Sequence, residues 1–181
     1  MKTLSLLKDE PGRESYLHEV TNSKHRSAMT KLRLSAHRLE IETGRYNNTT
    51  AENRFCVICQ LQGHEVVEDE THFMVSCPMY KDLRENLLPP QILRDKHISD
   101  EQKFVEIMTN YDMKATAKFV YQAFNEREIR LDVLSTLNEI VSSTEILLKN
   151  VNQNTSHPGT TDIYQVKWCS NDGLKLRLSK I

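Results

Sequence analysis

Residues that mark specialised protein classes are scarce in this sequence. Its 181 residues include only 5 glycines, 5 prolines and 1 tryptophan, which excludes collagen-like, glycine-rich and proline-rich chains. No apolar run approaches the roughly 20 residues of a transmembrane helix, and the mean hydropathy is −0.56. The apolar patch near the start is shorter than the core of a signal peptide, which needs about 7–15 residues. We therefore expect an intracellular protein, nuclear or cytoplasmic, with reduced thiols and no membrane partner.

Common catalytic motifs are missing as well. The sequence contains no G-x-S-x-G elbow, no H-E-x-x-H helix and neither of the glycine-rich loops G-x-x-x-x-G-K and G-x-G-x-x-G. These motifs place a nucleophile, a pair of zinc ligands or a phosphate-binding backbone at the spacing that each reaction needs. We therefore predict that the chain is not an enzyme.

The net charge of −1 conceals two segments of opposite charge. Residues 24–45 carry six basic and two acidic side chains, whereas residues 46–110 carry six basic and eleven acidic ones. A uniformly basic nucleic-acid binder and an acidic disordered tail are both excluded for the chain as a whole. Two interpretations of the basic segment stay open. It is either a solvated face that attracts the acidic segment, which charge alone favours, or a local footprint for phosphate groups.

Apolar residues recur at helical spacing through most of the chain, which predicts a mostly α-helical fold. One stripe consists of Ala28, Met29 and Leu32. It lies in the basic segment, directly after Thr21-Asn22-Ser23, a group of residues that favours the N-cap position. The pattern therefore predicts a basic helix that begins near residue 23.

Later in the chain, the punctuating residues predict where further helices begin and end. Pro89-Pro90 marks the end of one helix, and Ser99 with Gln102 forms a capping-box pattern at the start of another. Residues 112–150 contain neither glycine nor proline. They predict one long helix, or two helices joined near Asn125.

Three of the four cysteines lie close together in the sequence. With one histidine they give the spacing Cys56-x2-Cys59-x12-His72-x4-Cys77. Zinc in structural sites takes four nitrogen or sulfur ligands at about 2.0–2.3 Å, and a C-x2-C pair wraps one side of the tetrahedron. His72 and Cys77 can complete it from a short helix and its end. Because four protein ligands leave no open position, the spacing predicts one structural Zn²⁺.

A second set of ligands competes with this one. Cys56 and Cys59 followed by His64 match the first three ligands of a short zinc knuckle, and its fourth position holds Asp69. A carboxylate is the less usual fourth ligand in structural sites, and this arrangement leaves His72 and Cys77 unexplained. The first set is therefore favoured, with His64 as a spare donor or a group that contacts a ligand.

The basic segment and the cysteine motif together resemble a known family. The stretch TKLRLSAHRLEIETGRY at residues 30–46, followed by FCVIC and VEDETHFMVSCP, resembles the C-terminal zinc-binding region of non-LTR retrotransposon reverse transcriptases. The family pattern is a basic helix ending in Arg and His, a Gly-Arg pair, and a Cys-Cys-His-Cys finger with an acidic residue before His-Phe. The residues at these positions are Arg33, His37, Gly44, Arg45, Cys56, Cys59, Glu70, His72, Phe73 and Cys77. The clear match covers residues 24–88.

The resemblance implies a nucleic-acid-handling module that has lost its polymerase. In the family this region follows a domain whose paired aspartates hold two metal ions, and the present chain has no adjacent aspartates. We therefore expect a fragment or domesticated relic that binds RNA or DNA weakly, with little sequence preference. The expected binding residues are Lys31, Arg33, His37, Arg38 and Arg45.

An alternative function stays open beside this one. The chain is then a helical protein-interaction domain whose zinc site is purely structural and whose residues 112–150 dock a protein partner. In that case Arg33 and Arg45 pair with acidic residues of the chain and meet no phosphate.

The predicted organisation follows from these motifs. A small helical domain is built around the CCHC zinc-binding module, with a long C-terminal helix or helix pair and an irregular tail. The predicted segments are an N-terminal segment at 1–23, the basic helix plus the reverse-transcriptase-type zinc module at 24–90, a helical region at 91–150, and a polar tail, irregular or disordered, at 151–181.

Overall fold

The computed structural model describes Leu7, Gly12 and residues 14–154, 164–169 and 175–180. For residues 145–154 and for the two later ranges it describes the backbone alone. The chain divides into two compact units, Met1–Ile129 and Arg130–Ile181. The described part is mostly helical, which confirms the predicted fold class. None of its helices combines the length and the apolar character that crossing a membrane requires.

Short helices and turns precede one long helix. The α-helices are α1 (Tyr16–Glu19), α2 (Ser23–Arg33), α3 (Glu40–Thr43), α4 (Val57–Leu61), α5 (Lys81–Leu87), α6 (Pro90–Leu93), α7 (Asp100–Thr109) and α8 (Met113–Asn154). Two 3₁₀ turns (Ala51–Asn53 and Pro78–Tyr80) and one π-helical turn (His72–Ser76) lie between them.

Helix α2 is the predicted basic helix, and it begins at the predicted cap. The Asn22 side chain accepts hydrogen bonds from the backbone N–H groups of Lys24 and His25, at 3.0 and 3.2 Å, and so satisfies donors that the first turn leaves open. Its predicted apolar stripe is buried. The helix ends at Arg33, and Ser35, two residues later, has a φ of 52°, the left-handed conformation of a Schellman C-terminus. This turn directs the chain into the loop at residues 36–39.

The prolines and the capping box act as the sequence predicts. Helix α5 ends at Leu87, two residues before Pro89, and α6 begins at Pro90, where a missing N–H costs nothing. The Ser99 hydroxyl accepts from the backbone N–H of Gln102, and the Gln102 side chain accepts from the N–H of Ser99. This reciprocal cap starts α7, which packs against the π-helical turn.

Helix α8 is one continuous helix, so of the two predicted alternatives the single long helix is observed and not a pair joined near Asn125. Its first two turns bury Ala117, Phe119 and Val120 in the core of the first unit, where all three are fully inaccessible to solvent. Phe104, Ile107 and Met108 of α7 are equally buried. The apolar faces of α7 and α8 thus supply much of the core that surrounds the cysteine module.

The second unit contains the remainder of α8 and a pair of strands. Strand β1 (Tyr164–Cys169) pairs antiparallel with β2 (Lys175–Lys180), with Val166 opposite Leu178. The sequence predicts an irregular polar tail here, although its weak alternation after residue 164 is typical of a strand. Residues 155–163, 170–174 and 181 of this predicted tail lie outside the described residues.

Candidate metal centre

Four side chains from two turns meet at one point inside the first unit. The ligand atoms of Cys56, Cys59, His72 and Cys77 all lie within 4.8 Å of one another, and all four residues are buried. Their exposed fractions run from 1 to 6%. The structure thus contains a buried Cys₃His cluster that can hold one metal ion.

The first pair of cysteines is positioned by a tight turn. Cys56 is the N-cap of α4, and Cys59 lies one turn later. The chain reverses at Gly63, whose φ of 81° lies in the region that favours glycine. A short antiparallel bridge between Phe55 and Val67 then closes the loop. This local closure explains how a C-x2-C sequence presents two sulfur atoms in one direction.

The second pair is positioned by the π-helical turn. Asp69 accepts a hydrogen bond from the backbone N–H of His72 at 2.7 Å and so caps the start of the turn. At its end, the backbone N–H of Cys77 donates to the carbonyl of His72 at 2.8 Å. The Nδ1 atom of His72 lies 3.2 Å from the Ser76 hydroxyl, which leaves Nε2 facing Cys59. A partner on the second ring nitrogen is the usual way to orient a metal-binding histidine.

The distances between ligand atoms suit a zinc tetrahedron. Zinc–sulfur bonds of about 2.3 Å and zinc–nitrogen bonds of about 2.0–2.1 Å place two sulfur ligands about 3.8 Å apart, and sulfur and nitrogen about 3.5 Å apart. The sulfur atoms of Cys56 and Cys77 are 4.0 Å apart. The sulfur of Cys59 lies 3.4 Å from Nε2 of His72. The cluster therefore has the size as well as the donor set of a structural zinc site.

Without a cation, three thiols this close cannot all ionise. The hydrogen bond with Cys77 lowers the pKa of Cys56 to about 3, and the same hydrogen bond raises the pKa of Cys77. Burial raises the pKa of Cys59 to about 11. A divalent cation removes this conflict, because a coordinating thiol is deprotonated outright.

The competing set of ligands is not assembled. His64 is exposed and does not belong to the cluster, and Asp69 caps the π-helical turn instead of facing the sulfur atoms. Among the described residues, the Cys₃His group is the single cluster of this kind. The spacing that favours His72 and Cys77 therefore agrees with the geometry.

Phe73, which follows the histidine of the cluster, packs among aromatic rings. It stacks on Phe124 with 4.9 Å between ring centroids and meets Tyr80 edge-on, also at 4.9 Å. Phe119 adds a second edge-on contact at 6.2 Å. Aromatic pairs of this kind contribute about 0.5–1.5 kcal/mol each beyond burial. The π-helical turn thus anchors the cluster to α8.

Two further buried groups join the module to its surroundings. Arg127 of α8 donates from Nε and Nη2 to the two oxygens of Glu68, at 2.9 and 2.6 Å, and also reaches Glu40 at 3.3 Å. Burial raises the pKa of Glu68 while the hydrogen bond from Arg127 opposes that change. Arg84 of α5 donates to the backbone carbonyl of Cys77.

Two of the expected nucleic-acid-binding residues are buried inside the first unit. Arg33 is 4% exposed and donates to the Met108 carbonyl at 2.8 Å and to Glu14 at 2.6 Å. His37 lies 3.0 Å from a carboxylate oxygen of Glu70. Both side chains are used in holding the fold. The sequence pattern that suggests phosphate contacts at these two positions is explained here by internal packing.

The other three expected residues are exposed. Arg45 pairs with Glu42 at 3.0 Å, as the alternative interpretation anticipates. Lys31 and Arg38 make no ion pair within the part of the chain whose side chains are described, and they line a cleft of about 500 Å³ between α2 and α8. Sequence reasoning did not include Lys24, which lines the same cleft. It precedes Lys31 by seven residues, about two helical turns, and this spacing on one helix face was the available signal.

The wall opposite the basic residues comes from α8. Tyr121, Phe124 and Asn125 line the cleft there. No sequence motif connects these residues to α2, since about 90 residues separate the two walls. The exposed carboxylate of Glu128 also lines this wall. The cleft therefore combines cationic, aromatic and amide groups and one carboxylate, which only the tertiary fold brings together.

No family model, curated protein or solved structure matches this chain. Its function must therefore be argued from its own residues.

Proposed function

We propose that the first unit is a zinc-stabilised helical module that binds nucleic acid through its basic cleft. The observation that carries this proposal is the placement of Lys24, Lys31 and Arg38. These exposed side chains line one cleft and have no ion-pair partner among the residues with described side chains. Solvated basic faces usually attract acidic partners within the chain. Cations left without such partners are suited to phosphate groups.

Zinc in the Cys₃His cluster has a structural role in this proposal. When bound, the ion holds three thiolates and one imidazole in a closed tetrahedron, with no position open for a substrate. Residues 54–78 contain few large apolar side chains, and structural zinc contributes about 10–16 kcal/mol of apparent binding free energy in small peptides. No catalytic activity is proposed for the chain.

Contacts inside the first unit connect the zinc site to the cleft. Phe73 lies between His72 and Cys77 in sequence and stacks on Phe124, which lines the cleft. Arg127 also lines the cleft, and it is held by Glu68 of the module. Metal binding therefore stabilises both the aromatic and the ionic contacts that position α8 opposite α2.

The sequence resemblance supports the same proposal. The chain is similar to the zinc-binding region of non-LTR retrotransposon reverse transcriptases over residues 24–88, and we propose that it is a relic of such a region. One departure is clear, because Arg33 and His37 make internal contacts. Arg45 pairs with Glu42. Of the expected residues, Lys31 and Arg38 therefore remain as proposed phosphate contacts, and Lys24 joins them.

A second candidate function is a helical protein-interaction domain. Two large apolar side chains of α8 in the second unit are at least half exposed, namely Val133 and Ile140 at 50 and 54%. Such residues on one helix can dock a protein partner through apolar contacts. Binding of that kind depends little on salt, whereas phosphate binding depends on it strongly.

The test is a salt titration of oligonucleotide binding by zinc-loaded protein. Three phosphate contacts predict a log–log slope of about −2.7 on duplex DNA, from about −0.9 per contact. The triple variant Lys24→Ala, Lys31→Ala, Arg38→Ala should bind at least tenfold more weakly, with a slope near zero. The matched control Lys96→Ala, Lys114→Ala, Lys118→Ala makes the same charge change at exposed positions outside the cleft. Equal binding by both triple variants would refute the proposed function.

A further inference from the structure

Two walls with different side-chain chemistry, one from α2 and the following loop and one from α8, line the cleft. Its volume is about 500 Å³, within the range of roughly 300–1,000 Å³ that suits a single small molecule. That is room for one nucleotide with its phosphate, but the stacked base pairs of a duplex must remain outside, where only its backbone phosphates can reach the basic residues. The size of the cleft therefore favours an unpaired nucleotide as its occupant.

The two walls match the two halves of a nucleotide. Lys24 and Lys31 from α2 and Arg38 from the following loop supply positive charge on one side. Tyr121 and Phe124 from α8 supply partly exposed aromatic rings on the other side. Single-strand binders combine a basic path for the backbone with aromatic rings on which bases stack.

Ring contacts hold the aromatic side chains of this wall in place. The Tyr121 ring lies 5.1 Å from the ring of His25, at an interplanar angle of 41°. Phe124 is fixed by its stack on Phe73 and lies 6.2 Å from the His37 ring. Rings whose orientation is already set lose little conformational freedom when a base stacks on them.

We propose that this cleft binds one unpaired nucleotide of a single-stranded nucleic acid, with its base against Tyr121 and its phosphates on Lys24, Lys31 and Arg38. The inference rests on the proposed nucleic-acid binding and adds the class of ligand. A free nucleotide offers the same base and phosphate chemistry as a nucleotide within a strand. The strand gains additional phosphate contacts with exposed basic residues, so it is the proposed ligand.

The experiment uses fluorescence anisotropy to compare the binding of single-stranded and duplex nucleic acid. Zinc-loaded protein is titrated with a labelled 12-nucleotide DNA, first single-stranded and then annealed to its complement, together with a matched RNA pair. For the DNA pair, the RNA pair or both, we expect the single strand to bind at least tenfold more tightly than the corresponding duplex. Nucleoside monophosphate serves as the competitor, and it should displace the strand only at a concentration at least tenfold higher than that of the unlabelled strand.

Variants of the Tyr121 ring test whether the cleft is responsible for the preference for single strands. Tyr121→Leu keeps apolar packing but removes the stacking surface, and it should weaken single-strand binding about tenfold. Tyr121→Phe should retain the preference. The control Tyr46→Leu changes a tyrosine that is 88% exposed and lies outside the cleft, and it should have no effect. Zinc content and circular dichroism report whether each variant folds.

The failures of the two proposals are distinguishable. Equal or tighter binding of the duplex, with a steep salt slope, overturns the single-strand inference and leaves the proposed function in place. Monophosphate that binds as tightly as the strand also overturns the inference, in favour of a free nucleotide. Absence of binding to every probe refutes both. The unmodified protein alone gives these results, so the test does not depend on any variant folding.

Discussion

Phe73 stacks on Phe124 with 4.9 Å between ring centroids and 28° between ring planes. The first ring belongs to the π-helical turn that carries His72 and Cys77, and the second lines the basic cleft. One aromatic contact therefore connects the candidate metal centre to the proposed binding surface. Changes at the metal centre should for this reason be detectable at the cleft.

Substitution of one cluster thiol should release the metal. Cys77→Ser removes a buried sulfur ligand and should reduce bound zinc from one ion per chain to near zero, measured by elemental analysis after gel filtration. The controls are His64→Ala and Asp69→Asn. His64 is exposed, and asparagine keeps the oxygen that accepts the His72 N–H, so both variants should retain zinc. Zinc kept by Cys77→Ser and lost by Asp69→Asn would favour the short-knuckle ligand set.

Zinc affinity should rise steeply with pH. Burial raises the pKa of Cys59 to about 11, and the hydrogen bond with Cys56 raises the pKa of Cys77, so both thiols hold their protons at neutral pH. Each must lose its proton to bind zinc. Affinity should therefore increase at least a hundredfold for each pH unit between pH 6 and 8, measured by competition with a chelator. An affinity that does not change over this range contradicts the thiolate ligand set.

The buried pair of Arg127 and Glu68 should be costly to break. Arg127→Met leaves the Glu68 carboxylate buried without its partner, and removal of one member of a buried ion pair costs about 3–5 kcal/mol. We expect the free energy of unfolding in urea to fall by about that amount. Lys103→Met is the control, because the side chain of its partner Asp100 is 48% exposed. That carboxylate stays solvated without Lys103, and such pairs contribute about 0–1 kcal/mol. Similar losses in the two variants are inconsistent with the buried pair.

Gly44 should be intolerant of even one methyl group. A Cβ atom at this position would lie 2.6 Å from Cγ of Arg54, whose guanidinium donates to the carbonyls of Ile41 and Thr49. Gly44→Ala should destabilise the protein by about 1–3 kcal/mol, as overpacking does. Gly12→Ala is the control, because no described residue lies within 4 Å of its added Cβ. A thermal melt that ranks the two variants equally would argue against this close approach.

The parts of the site that are local in sequence could be predicted. The two ligand pairs, the Asn22 cap and the Ser99 capping box each depend on residues within about five positions of one another, so their spacing carries the information. The mostly helical fold follows in the same way from apolar stripes. The sequence of residues 112–150 is compatible with one helix or with two, because the choice between them depends on packing against the core.

The parts that depend on distant residues could not be predicted. Arg33 contacts a carbonyl 75 residues away, and Arg127 contacts a carboxylate 59 residues away. No spacing rule distinguishes such buried arginines from those that face solvent. Arg33 and His37 were therefore expected at a nucleic-acid surface, whereas Lys24 and Tyr121 were not recognised as neighbours of one cleft.

Binding measured while zinc is withdrawn tests the central claim most directly. Zinc-loaded protein is held with a labelled single-stranded 12-mer at fixed salt, and a chelator is added in steps while metal content and anisotropy are followed together. If zinc supports the cleft through Phe73 and Phe124, bound oligonucleotide should decrease in proportion to bound zinc and return when zinc is restored. Oligonucleotide binding that persists undiminished after complete zinc removal would contradict the account.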